Sequence, residues 1–111
     1  IEKFEKSTAC PSCAKAGKLR PDIVFFGEVP KRLDEINIEI RNADLFVSIG
    51  TSGIVYPAAG FVAHARDNGA LCVEINKEKS EVTNLFDISY SGLATEEVPR
   101  FFSSLLLKNK I

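Results

Sequence analysis

The sequence has no methionine and no tryptophan, a single histidine, and three cysteines. No apolar run in it approaches the roughly 20 residues that a membrane helix needs, so a helical span is excluded and a soluble chain is expected. Neither end has the texture of a signal peptide. There is no excess of either charge: 14 Lys and Arg face 15 Asp and Glu, a net charge of −1. A nucleic-acid binder working through a broad basic face is therefore not expected. Ile at position 1 and the lack of any Met lead us to expect a piece of a longer chain. What is present is the composition of a folded protein, 111 residues with 45% hydrophobic content. That length suits one compact domain or part of one, burying roughly 60–70% of its unfolded surface.

Residues 1–20 are polar and rich in small side chains, with Cys10-Pro11-Ser12-Cys13 in their midst. They resemble a loop or knuckle shaped by a crosslink or a metal. From Pro21 the pattern changes. Ile23–Gly27 (IVFFG), Leu45–Gly50 (LFVSIG) and Leu71–Asn76 (LCVEIN) are short apolar runs suited to buried strands. Lys31–Asn42 places Leu33, Ile36 and Ile40 on one helical face. Pro57–Asn68 is expected as a helix with Pro57 first and Gly69 just past its end. Residues 77–92 form a loop with a short strand near Ile88–Tyr90. Thr95–Leu107 closes the chain as a helix that Thr95 caps, with Glu96 and Glu97 in its first turn and Val98, Phe101, Phe102, Leu105 and Leu106 facing inward. Alternating strands and helices with short turns predict a parallel sheet flanked by helices. Ligands of such sheets bind beyond the carboxyl ends of the strands.

Three turns lie at those ends. Gly50-Thr51-Ser52-Gly53 offers flexible backbone, free amides and two hydroxyls to phosphate oxygens, but it is neither a P-loop nor GxGxxG, and an ordinary turn is the plainer reading. Asn76, followed by Lys77 and Glu78, sits where a polar side chain meets a ribose hydroxyl, or where an Asn simply caps a turn. Phe25-Phe26-Gly27-Glu28 is core sequence or an edge onto which an extended peptide adds. Cys10 and Cys13 are half of a zinc site, a redox pair or two free thiols. A redox CxxC opens a helix after a strand, which nothing here supplies, so the half-site is preferred. Cys72 falls in mid-strand as a small core residue. His64 lies in mid-helix, away from any strand end, and is read as a surface or satisfied histidine. No general base and no Ser–His or Cys–His pairing is evident.

In order, CPSC, GKLRPDIVFFGEVP, ADLFVSIGTSGIVYPAAGF, CVEIN and the helix after SGLA resemble the sirtuin family of NAD-dependent protein-lysine deacylases. GTSGIVYPAAGF and FGEVP look most like the bacterial class III members. The resemblance implies an α/β fold, a Rossmann-like parallel sheet flanked by helices, forming the C-terminal half of a sirtuin large domain. Residues 1–20 would be the remnant of a small zinc-binding module, and 21–111 the C-terminal part of the Rossmann-fold NAD-binding domain. By the same resemblance Gly50, Thr51 and Ser52 line the NAD phosphate and ribose site. Asn76, Lys77 and Glu78 hold the adenosine ribose, and Ala94 lies against the adenine. Val24 and Phe26 meet the acyl-lysine, while Gly27, Glu28 and Val29 face Ile54, Val55 and Tyr56 across the substrate peptide. Cys10 and Cys13 match the second zinc pair, giving a zinc site that is incomplete in this chain.

The implied function is NAD-dependent removal of acyl groups from protein lysines, giving nicotinamide and O-acyl-ADP-ribose, in a full-length parent. The family's Gly-Ala-Gly-Ile-Ser loop, its Gln-Asn-x-Asp segment, its catalytic His and its first zinc pair lie upstream of the matched region. This chain is therefore expected to carry no catalytic residue and to be inactive alone. A non-catalytic nucleotide-binding or regulatory module, or a zinc-stabilised interaction domain, are the alternatives on the same scaffold. The expected partners are acylated-lysine proteins, with no direct nucleic acid and no membrane, and an uncovered sheet edge invites self-association. The absence of targeting signals and the expected reduced thiols point to the cytoplasm.

Overall fold

In the computed structural model, which describes residue 3 and residues 5–108, the run Leu71–Asn76 is the central strand of a three-stranded parallel sheet. We label Leu45–Ile49 β1, Leu71–Asn76 β2 and Ile88–Ser91 β3, and their order across the sheet is β1–β2–β3. A central parallel strand is covered on both faces, which explains the continuous apolar texture of β2. Cys72, Val73, Glu74 and Ile75 are all buried. Leu45 stands opposite Leu71 and Ile49 opposite Ile75, while Val73 stands opposite Ile88 and Asn76 opposite Ser91. The three carboxyl ends thus share one edge. The ladder runs on into the loops there, the Gly50 N–H donating to the Ile75 carbonyl at 2.9 Å and the Gly92 N–H to the Asn76 carbonyl at 3.0 Å.

Three helices complete this unit, α1 (Leu33–Asn42), α2 (Phe61–Asp67) and α3 (Ala94–Lys108). Strand side chains alternate between faces, so β2 feeds two cores. Cys72 packs with Ile40 of α1, Val62 and Ala65 of α2, and Phe86. Val73 and Ile75 pack with Phe101 of α3, backed by Val98, Phe102 and Leu105. The result is the predicted α/β architecture, a parallel sheet with helices on both faces. Among the described residues no helix is long and apolar enough to cross a membrane.

Element boundaries depart from the sequence reading where local geometry decides. The first helix starts at Leu33, not Lys31, because Arg32 adopts the left-handed conformation at φ 57°. The second opens as a 3-10 turn over Ala58–Gly60, whose Gly60 N–H reaches back to the Pro57 carbonyl, before α2 proper begins at Phe61. Thr95 lies inside α3 and does not cap it, and Pro99 is accommodated one turn in.

Contacts divide the chain into two compact units, Ile1–Lys31 and Arg32–Ile111. Within the first, Ile23–Gly27 is not a strand. Its apolar side chains are exposed, Phe26 to 93%. The backbone turns back instead, the Glu28 N–H donating to the Phe25 carbonyl at 3.1 Å while the Glu28 carboxylate accepts the Phe25 N–H at 2.9 Å. Those bonds occupy the groups that a ladder would use.

Candidate functional site

At the carboxyl edge of the sheet, the loops leaving β1 and β2 enclose a cleft of about 420 Å³. Gly50, Thr51, Ser52 and Ile54 form one wall; Asn76, Lys77, Glu78, Lys79 and Glu81 form the other. Two turns that the sequence singled out separately, 25 residues apart, are therefore one place. A single side chain joins them. Asn76 donates through Nδ2 to the Thr51 carbonyl at 2.6 Å, and its Oδ1 accepts the Lys77 N–H at 3.1 Å. One end of the amide joins the two walls and the other braces the turn after β2.

Glycines shape the first wall. Gly50 has φ +66°, and a Cβ there would meet nothing within 4 Å, so its backbone is open to a ligand. Gly53 has φ +73°, and a Cβ there would come within 2.6 Å of the Val82 side chain. Here the missing side chain lets a neighbouring loop close on the turn. That loop is tied on by the Glu81 N–H, which donates to the Ser52 carbonyl at 3.1 Å. The Thr51 hydroxyl accepts the Gly53 N–H at 3.3 Å. The cleft offers hydroxyls, two ammonium groups, an amide and two carboxylates, and its lining holds no His or Cys. Such a set is complementary to a ligand with phosphate and hydroxyl groups.

The remaining predicted residues fall elsewhere. Ala94 is the first residue of α3 and does not line the cleft, although Gly92, two positions before it, is hydrogen-bonded to Asn76. Ile54, Val55 and Tyr56 are exposed, with Ile54 alone of the three in the cleft lining. In the first unit a cavity of about 330 Å³ gathers Val24, Glu28 and Val29 with Arg20, Pro21, Asp22, Ile23 and Lys31. Gly27 and Phe26 are outside that lining. Arg20 grips Glu28 with two parallel bonds, at 2.7 and 3.0 Å, and lies 4.4 Å above the Phe25 ring. The Arg20 fork, then the Phe25 N–H, hold the Glu28 carboxyl well below its ordinary range, at about 2.

Cys10 and Cys13 sit on a tight turn closed by an Ala9–Ala16 bridge, with the Ala14 N–H on the Cys10 carbonyl at 2.8 Å. Hydrogen bonds from the backbone N–H groups of Cys13 and Ser12 lower the pKa of Cys10 and so favour its thiolate. Among the described residues no group of three or more His, Cys, Asp or Glu side chains could hold a metal ion. The turn brings the thiols of Cys10 and Cys13 onto one short segment. Cys72 is fully buried, and burial, then the Asp87 carboxylate, raises its thiol. His64 is half-buried in α2 and does not line the cleft.

Sequence reasoning missed Glu74, Ser80 and Thr83, which stand behind the second wall. Glu74 is 2% exposed, and its carboxylate accepts hydrogen bonds from the Ser80 and Thr83 hydroxyls, the latter at 2.6 Å. The signal was an acidic residue inside the apolar run LCVEIN.

A parallel sheet covered on both faces, with a glycine-lined polar cleft at its carboxyl edge, defines a Rossmann-like α/β protein. The model of the Sir2 family matches residues 1–57. The chain belongs to the Sir2 family. It is 52% identical over 105 residues to an NAD-dependent protein deacylase of Caulobacter vibrioides, a match covering 95% of this chain and 44% of that protein. A Sir2 homologue solved with NAD superposes with a TM-score of 0.84 at 30% identity, covering 97% of this chain and 42% of its own. Sir2Af2 bound to a myristoylated histone peptide superposes at 0.77 and 31% identity, covering 94% and 45%. The chain spans less than half the length of these relatives.

Proposed function

We propose that the chain forms the NAD- and peptide-binding portion of an NAD-dependent protein-lysine deacylase. The observation that carries this reading is the meeting of Gly50–Ser52 with Asn76–Glu78 in one cleft at the carboxyl edge, tied by the 2.6 Å bond from Asn76 to Thr51. The cleft fits the ADP-ribose part of NAD. Open backbone at Gly50 and the Thr51 and Ser52 hydroxyls suit phosphate and ribose oxygens, and Lys77 and Glu78 flank the ribose that Asn76 orients. Ala94 would close the adenine end from the start of α3. NAD, when bound, supplies the ADP-ribose that accepts the acyl group. This chain's residues bind and orient it; none is assigned the role of base.

The substrate is a protein carrying an acylated lysine. Val24, Phe26, Gly27, Glu28 and Val29 in the first unit, and Ile54, Val55 and Tyr56 in the second, are the residues we assign to contact with the acyl-lysine and its flanking backbone, a mode with little demand on sequence. Residues 1–20 act as part of a zinc-binding module in which Cys10 and Cys13 supply two of four ligands, and 21–111 as part of the NAD-binding domain. Two thiolates alone leave a tetrahedral site half filled, so the other ligands come from outside these residues. Reduced thiols and NAD together suit the cytoplasm. Grafting residues 1–111 in place of the matching segment of the Caulobacter relative tests the reading. Acyl-lysine-dependent nicotinamide release by a folded graft is expected; a folded graft that binds neither NAD nor acyl-peptide contradicts it.

A further inference from the structure

We infer that Glu74 is a positioning residue for the nucleotide cleft, holding the Ser80–Thr83 loop against Ser52 and Gly53; the inference rests on the reading of that cleft as the NAD site. A carboxylate buried in the middle of a central strand is costly unless each oxygen is hydrogen-bonded, and an apolar residue of similar volume packs there at no such cost. Glu74 meets the condition with two hydroxyls of one loop. One carboxylate oxygen accepts the Thr83 hydroxyl and the other accepts the Ser80 hydroxyl. Each hydroxyl in turn accepts a backbone N–H of the same loop, Thr83 Oγ1 that of Ser80 at 2.8 Å and Ser80 Oγ that of Val82 at 3.4 Å. The loop's turn is thereby locked to β2. From it the Glu81 N–H reaches the Ser52 carbonyl at 3.1 Å, and Val82 fills the space that Gly53 leaves open.

The chain of contacts thus runs from a buried carboxyl group to the backbone of the phosphate-side turn, without Glu74 itself lining the cleft. Glu74 also stands opposite Ser48 in the register, two residues before the end of its strand, as Ser48 is two before Gly50. Preorganised backbone donors bind an anion without first having to be ordered, so loosening the loop weakens binding while the fold survives.

Titrating ADP-ribose into the 111-residue chain, with hydrogen exchange read at the Glu81 amide, tests this. Thr83→Val keeps the shape and removes the hydroxyl, and Glu74→Gln keeps the volume and removes one acceptor. Each is expected to weaken ADP-ribose binding about tenfold, the effect of one lost hydrogen bond to a charged group. Each should also speed exchange at Glu81 while the Val47 and Val73 amides stay protected. Thr83→Ser, which restores the hydroxyl, is expected to recover both. Wild-type affinity in Thr83→Val and Glu74→Gln, or exchange that rises uniformly across the sheet, overturns the positioning role while the cleft reading stands. No ADP-ribose binding by the wild-type chain overturns the cleft reading and the inference with it.

Discussion

Asn76 shows how much one side chain decides. Its amide donates to the Thr51 carbonyl across the cleft and accepts the Lys77 N–H beside it, so replacing it removes the tie between the walls and a brace within one of them. Asn76→Ala is expected to lower NAD affinity by roughly tenfold, and Asn76→Asp by at least as much because a carboxylate would face the Thr51 carbonyl; calorimetric titration measures both. Glu28 gives a pH signature. Its carboxyl lies at about 2 against an ordinary 4.5, so the folded turn favours the charged form. The stabilisation is complete above pH 4.5 and is lost as the pH falls towards 2. The Phe25 amide resonance is expected to titrate near the lower value, and Arg20→Gln to return it towards the ordinary one. Residue-level reading of the sequence reached Asn76 because a polar residue ending an apolar run stands out. It passed over Glu74, whose partners lie six and nine positions further on in a loop without periodicity.

Elements were legible to the degree that their own pattern defines them. β2 was read with both its ends, because burial on two faces leaves an unbroken apolar run between polar flanks. Ile23–Gly27 has the same texture and is not a strand, since a strand exists only through the partner it pairs with and this segment turns on itself. The inward face of α3 was read correctly at Val98, Phe101, Phe102 and Leu105 but not at Leu106, which is exposed in the helix's last turns beyond the reach of the sheet, and the energy of that face follows. Phe101 and Ile75 are buried against each other across the sheet face. Phe101→Ala is expected to destabilise the fold by about 3–5 kcal/mol and Ile75→Ala by about 2–5 kcal/mol in urea unfolding. Leu107, exposed at the far end of the same helix, should tolerate Ala within about 0.5 kcal/mol.

At the scale of the molecule, the chain is a sheet with a shaped cleft, joined in sequence to a separate unit that holds the CxxC turn. With two thiol ligands there, the chain is expected to take up zinc weakly and to yield it to a mild chelator. Tight zinc that survives Cys10→Ser would show ligands other than the pair. Binding of NAD at the carboxyl-edge cleft is tested by an NMR titration of the chain with NAD. Saturable shifts are predicted at the amides of Gly50, Thr51, Ser52, Asn76 and Lys77, with the Cys10–Cys13 turn unmoved. Titration without saturable shifts at those amides, or with shifts confined to other parts of the chain, would contradict it.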